Sequence, residues 1–176
     1  MEIKLRKSAL RFWQRGDEAA LARHADNYQI WRNVRNRFPH PYTPKDARAW
    51  IAHTLAEDPP VNFAITVKNE AIGGIGLIPG SDIHHRSAEI GYWLGESYWG
   101  RGIATEALKA VSRWAFENYD LCRLWAGVFE HNAASARVLV KAGYQFEARL
   151  CQAVTKEGRT MDELVYALIR ASPNDA

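Results

Sequence analysis

Residues 89–108 read EIGYWLGESYWGRGIATEAL, and the order of residue types in this stretch decides the fold. Glu89 to Leu94 is β-prone and apolar, Gly95 to Arg101 has turn composition, and Ile103, Ala107, Leu108, Val111 and Ala115 recur at helical spacing. A strand therefore runs through a glycine-bracketed turn into an amphipathic helix. Gly100 and Gly102 carry no β-carbon, so the backbone there is free to take positive φ and approach a ligand, while the first-turn amides of the helix lack intrahelical partners. Those amides, with the helix dipole behind them, favour phosphate or pyrophosphate. A tight turn that binds nothing has the same local sequence, so Gly-x-Gly alone leaves both readings open.

Spacing narrows the phosphate readings. A P-loop needs Lys and then Ser or Thr after its glycine, whereas Gly102 is followed by Ile103, Ala104 and Thr105. A dinucleotide fingerprint needs a third small residue that Gly100, Gly102 and Thr105 do not supply. What remains is a cradle for a phosphate-bearing ligand of another kind.

Outward from this unit, residues 3 to 13 read as a first strand, and Asp17 is placed to cap a helix through Ala25. Thr43-Pro44 with Asp46 starts a second helix that Pro59-Pro60 stops near Glu57. Asn62 to Val67 and Ala71 to Ile78 form a hairpin, Ser87 to Leu94 is the central strand, and Gly102 to Asn118 the long helix. Leu121 to Phe129 is a strand, Ala133 to Lys141 a helix, and Tyr144 to Val154 with Thr160 to Ile169 a final hairpin. The order predicts one α+β domain over residues 1–176, with a mixed, mostly antiparallel sheet of about seven strands and about four helices.

Composition constrains function less. With 23 Lys+Arg and 20 Asp+Glu the net charge is +3, which suits a polyanionic ligand but does not imply nucleic acid. No apolar run is long enough to span a bilayer, and Met1-Glu2-Ile3-Lys4 does not open a signal peptide, so a soluble, cytoplasmic protein is expected. Cys122 and Cys151, each among apolar neighbours, are expected to be buried free thiols, and no His/Cys cluster has metal spacing.

Three motifs carry a family resemblance. Trp99-Gly100-Arg101-Gly102-Ile103-Ala104-Thr105-Glu106-Ala107 resembles the acetyl-CoA pyrophosphate loop of the GNAT superfamily, in the form of its RimJ/RimL-type protein N-acetyltransferase branch. His131-Asn132-Ala133-Ala134-Ser135-Ala136, followed by Lys141-Ala142-Gly143-Tyr144, resembles that branch's Asn-x-x-Ser segment and the end of the next helix. Pro39-His40-Pro41-Tyr42-Thr43-Pro44-Lys45-Asp46-Ala47 is similar to its proline-rich approach to the second helix. Order and separation agree over nearly the whole chain. The resemblance implies a single GNAT-like domain that uses acetyl-CoA as acyl donor, without a metal, and passes acetyl directly to an amine. It also implies a monomer or homodimer, with no membrane partner.

Such a reaction needs a held thioester, a donor to the oxygen on which charge develops, a proton acceptor for the amine and an acid for the thiolate. By resemblance the pantetheine lies along the central strand at Tyr92-Trp93-Leu94, with the Leu94 amide on the acetyl oxygen. Trp93 and Leu94 read equally as core. Glu89, a carboxylate in an apolar strand, is either the base or one half of an ion pair, with Arg86 or another neighbour. Asn132 is an N-cap, to which the resemblance adds a contact with pantetheine or amine; Ser135 either faces the CoA sulfur or bonds its own helix. Many GNAT enzymes have a tyrosine acid where Leu139 stands, and some RimL-like proteins a carboxylate where Val154 stands, so both roles are vacant at those positions. Arg101 and Lys141 are placed to meet CoA phosphates.

The acceptor is ranked rather than read. A protein α-amino group, with a pKa of about 7.7 to 8, is roughly a tenth neutral at pH 7, whereas a lysine costs about 4 to 5 kcal/mol to deprotonate. A weak base therefore suffices for an N-terminus, which stands first, ahead of a small-molecule amine and of a non-catalytic acyl-CoA-binding module. Tyr28 to Tyr42, rich in aromatics and arginines, reads as an acceptor wall, as a helix pair packed on the sheet, or as a surface that touches RNA.

Overall fold

In the computed structural model, which describes residues 2–170, the strand–turn–helix unit lies at the middle of an eight-stranded sheet. The strands are β1 (Glu2–Lys4), β2 (Ala9–Phe12), β3 (Asn62–Val67), β4 (Glu70–Pro79), β5 (Ser87–Leu94), β6 (Arg123–Phe129), β7 (Gln145–Lys156) and β8 (Arg159–Ile169). The helices are α1 (Glu18–Ala25), α2 (Tyr28–Trp31), α3 (Pro44–Leu55), α4 (Ile103–Asn118) and α5 (Ala133–Ala142). The spatial order is β1-β2-β3-β4-β5-β6-β8-β7. Every neighbouring pair is antiparallel except β5 with β6, whose parallel alignment requires the crossover through α4.

Local signals account for most boundaries. Thr43 and Asp46 form a capping box with Pro44 inside the first turn of α3. Lys68 and Asn69 take positive φ in the turn between β3 and β4. Two expectations for the first 25 residues are corrected. The first strand is a hairpin, because Leu5 N donates to Ser8 O at 2.9 Å and folds the run back on itself. The turn's charges reach across the fold instead of extending the strand, Arg6 to Glu106 and Lys7 to the carbonyl of Arg101. Asp17 makes no side-chain cap; its carboxylate accepts both terminal nitrogens of Arg11, at 2.7 and 2.8 Å, and the amide of Gln14. A mostly buried arginine outcompetes the helix end for that acceptor.

The sheet separates two cores. On one face Leu108 and Val111 of α4 and Leu139 of α5 pack on Ile65, Ile90 and Leu124. Tyr144, expected in the core, is buried there with its hydroxyl 2.8 Å from Ser112 Oγ. On the other face Leu21, Ala47 and Ile51 of α1 and α3 cover Trp13, Ala64 and Ala71. The cysteines differ from expectation, since Cys122 and Cys151 are both free but exposed. Cys151 lies on β7, the edge strand, most of whose residues face solvent, so apolar neighbours in sequence do not bury it. Among the described residues, no helix is long and apolar enough to cross a membrane, and no three His, Cys, Asp or Glu side chains group to hold a metal.

Candidate functional site

β5 and β6 pair only at Ser87–Arg123, Ala88–Leu124 and Glu89–Trp125. Beyond Glu89 they part, and a cleft of about 1030 Å³ runs between them. Gly95 N donates to Ile72 O and Gly80 N to Ser87 O, so by the alternation of an antiparallel ladder the odd-numbered residues of β5 bond β4. The amides of Tyr92 and Leu94 consequently face the gap. Trp99 Nε1 donates to Leu94 O at 2.7 Å and ties the strand end to the turn that follows.

That turn has the geometry its glycines suggest. Gly100 and Gly102 have φ of +73° and +81°, and an added Cβ at either would meet nothing within 4 Å. Backbone conformation, not crowding, therefore demands glycine. Gly102 is the N-cap of α4 and offers no side-chain acceptor, leaving the amides of Ile103, Ala104 and Thr105 to point out of the helix end. The Ile103 side chain is buried in the core and anchors the turn, while Ala104 and Thr105 line the cleft. The Arg101 guanidinium lies 5.3 Å from the centre of the Tyr98 ring. Lys141 of α5 also lines the cleft, together with Arg137, which sequence reading did not single out.

The opposite end is built from side chains. Glu89 accepts from Arg35 Nη2 at 2.6 Å, whereas Arg86, the partner considered from sequence, bonds Asp120. Glu89, Gly91 and Trp93 point to the α1/α3 face by strand alternation, and Trp93 packs into the core on that face. Phe38 meets Trp93 edge-on at 5.7 Å and Tyr42 at 4.9 Å. Burial pushes the Tyr42 hydroxyl up to about 12. Segment 28–42 is thus a wall over the sheet made of one short helix, capped by Asn27, and irregular chain, not a helix pair. Lys156, buried at the end of β7, stands 3.7 Å from the centre of the Trp31 ring and fastens the wall to the β7–β8 hairpin.

Between the two ends, Ser135 and Tyr92 meet. Their hydroxyl oxygens are 2.8 Å apart, and Tyr92 is also within bonding distance of the Ser135 carbonyl. Burial pushes the Tyr92 hydroxyl up to about 12, with the Ser135 hydrogen bond opposing. It stays protonated at neutral pH. Asn132 accepts from the Ser135 amide at 3.1 Å, the N-cap role read from sequence. Leu139 is fully buried in the core, and Val154 is paired with Met161 away from the cleft lining.

Glu89, Trp93, Leu94, Trp99, Gly100, Gly102, Ile103, Ala104, Thr105, Asn132, Ser135 and Lys141 all border this one cleft. Arg101 lies in the same turn but with its side chain over Tyr98. Sequence reading missed Tyr92 as a partner of Ser135, Arg35 as the partner of Glu89, and Glu163 of β8, which also lines the cleft. Alternation along β5 places Tyr92 opposite to Glu89; no local pattern marks Glu163.

The chain is similar to several known acetyltransferases. An uncharacterized N-acetyltransferase of Bacillus subtilis (strain 168), YoaA, is 38% identical over 101 residues, 57% of this chain and 56% of that protein. The ribosomal-protein-serine acetyltransferase of Escherichia coli (strain K12) is 33% identical over 107 residues, 61% of this chain and 59% of the relative. The matches thus span little more than half the length of these curated relatives. Among solved structures, Mycobacterium smegmatis RimJ in complex with CoA-disulfide superposes with a TM-score of 0.83 at 25% identity, covering 96% of this chain and 87% of that one. A RimL alpha-N-protein acetyltransferase in complex with coenzyme A has the same fold, with a TM-score of 0.84 at 23% identity over 96% of this chain and 98% of that one. A model of the acetyltransferase (GNAT) domain matches residues 8–145, and the chain belongs to that family.

Proposed function

We propose that the protein transfers acetyl from acetyl-CoA to a primary amine by direct attack on the thioester, and that the amine is a protein N-terminal α-amino group. The observation that carries this reading is the parting of β5 from β6 into a cleft that ends on the uncapped amides of α4. A pantetheine arm fits the open strand edge, and a pyrophosphate fits the helix end, where positive-φ glycines and free amides accept an anion without a lysine. Acetyl-CoA supplies the activated acyl group. This chain supplies the Leu94 amide toward the acyl oxygen, and the Ser135 hydroxyl, backed by the protonated Tyr92, as proton donor to the departing sulfur. Because the Leu94 contribution is a main-chain N–H, its side chain does not enter the chemistry.

Support for a protein acceptor comes from the relatives, one of which is named as a ribosomal-protein-serine acetyltransferase. Phe38 and Trp93 add an aromatic surface to the same cleft, against which an acceptor chain can pack. The test is to mix the protein and acetyl-CoA with N-terminal peptides, polyamines and aminoglycosides, and to follow thiol release. The expected result is release dependent on peptides with a free α-amine. Release with polyamines or aminoglycosides alone makes the protein a small-molecule acetyltransferase, and tight acetyl-CoA binding with no acceptor-dependent release makes it a binding module.

A further inference from the structure

We infer that Glu163, not Glu89, takes the proton from the acceptor amine. The inference rests on the acetyl-transfer reading and assigns a group within that site. Both carboxylates lie on the same face of the sheet and border the acceptor end of the cleft. Their commitments differ. Glu89 accepts from Arg35 at 2.6 Å through Oε1 and is mostly buried, so its charge is already paired with a guanidinium. Among the described residues, no hydrogen bond or ion pair occupies the Glu163 carboxylate, although Arg35 and Glu89 both lie close enough to act on its charge.

A feature of β6 places Glu163. The strand is paired with β8 so that Phe129 opposes Glu163, and two residues back on the same face stands Gly127. A Cβ at Gly127 would lie 2.2 Å from Glu163 Oε1. The missing side chain is a notch, and the carboxylate crosses β6 through it toward the gap beside β5. A glutamate one strand removed from the cleft thereby reaches its floor. The titratable and charged groups that face it are Arg35, from the segment after α2, and Glu89 of β5; β6 contributes Gly127 and Phe129, and β7 opposes it with Leu150. Burial raises its affinity for protons, Arg35 opposes this and Glu89 adds to it. Such a carboxylate holds a proton more readily than one in water.

One proton of the ammonium passes to Glu163 and from there to solvent. The nitrogen lone pair adds to the thioester carbonyl, the carbon–sulfur bond breaks, and the second proton leaves the nitrogen. The thiolate is protonated from Ser135 and Tyr92, which recover a proton in turn. The products are the acetylated amine, the thiol and one released proton.

The test compares Glu163→Gln, Glu89→Gln and Gly127→Ala with the wild type, using a peptide with a free N-terminus and acetyl-CoA. kcat and kcat/KM are measured against pH, and acetyl-CoA binding is measured separately by calorimetry. Glu163→Gln is expected to lower kcat by about 10²-fold or more at pH 7 and to regain rate as pH rises and the amine deprotonates unaided, with acetyl-CoA affinity unchanged. Glu89→Gln keeps an acceptor for Arg35 and should lose less than roughly tenfold, with the acidic limb of the profile moved to lower pH because the Glu89 charge no longer raises the proton affinity of Glu163. Gly127→Ala displaces the carboxylate without removing it and should fall between the two. A wild-type profile in Glu163→Gln, or the large loss appearing in Glu89→Gln instead, overturns the assignment of Glu163 alone. No amine-dependent release by the wild-type protein overturns the acetyl-transfer reading, and the role of Glu163 with it.

Discussion

The two ends of the cleft are made of different material. At the end proposed to hold the coenzyme, Gly100 to Thr105 present backbone amides from one continuous stretch, and the side chains there either anchor the turn in the core or stand aside. At the acceptor end, Arg35, Glu89, Phe38, Trp93 and Glu163 present side chains from separate segments, brought together by strand pairing and by the wall over the sheet. A main-chain site tolerates sequence change wherever φ permits it. A side-chain site depends on each residue and can be retuned for another amine without disturbing the coenzyme.

The sharpest way to break this contrast is Gly102→Val. A β-branched residue at a φ of +81° costs about 1–3 kcal/mol, so the free turn relaxes out of the conformation that aims its amides, and regaining it on binding lowers acetyl-CoA affinity by about five- to 150-fold. Calorimetric titration should show that loss, while acceptor KM at saturating acetyl-CoA stays unchanged. Normal coenzyme affinity in the folded variant would remove the backbone cradle.

Arg35→Ala should act at the other end alone. It leaves Glu89 mostly buried without its partner, a change expected to lower kcat/KM for the peptide by about tenfold through acceptor KM, with coenzyme affinity within error of wild type. A coupled loss of coenzyme binding would mean that the ends are not independent. Tyr92→Phe tests the middle, where the hydroxyl backs Ser135. The expected loss is about three- to tenfold in kcat with both KM values retained, and it should be greatest at alkaline pH, where a supplied proton matters most.

The smallest effect on binding should come from Leu94→Ala, which keeps the amide. Removing a side chain that is 6% exposed should cost about 2–4 kcal/mol in unfolding free energy, read by denaturant titration, and less than roughly twofold in acetyl-CoA affinity. A large affinity loss in that variant would give the side chain a role that a main-chain site does not need.

How far each part was legible follows from the same distinction. The order of elements, the α3 cap at Thr43 and Asp46, and the strand-to-α4 unit were all readable, because each depends on periodicity or on partners a few residues apart. The hairpin within residues 2–12 was not, since its reversal at Arg6 and Lys7 is supported by contacts with Arg101 and Glu106 about a hundred residues away. Asp17 was misread for the same reason. Its cap geometry is local, but the Arg11 guanidinium that claims it is aimed there by β2 and offers two charge-assisted bonds.

The sequence by itself determined the α+β order, the glycine-bracketed turn and the free amides of α4, because backbone conformation follows from residue type and short-range spacing. Only the tertiary structure decided that β5 parts from β6 just beyond Glu89, that Glu89 is spent on Arg35, and that Gly127 lets Glu163 cross a neighbouring strand into the cleft. Those are matters of register and of which side chains share a face across strands far apart in the chain. A shift of one residue in any of those pairings would turn the side chain to the opposite face, so no local pattern can encode it.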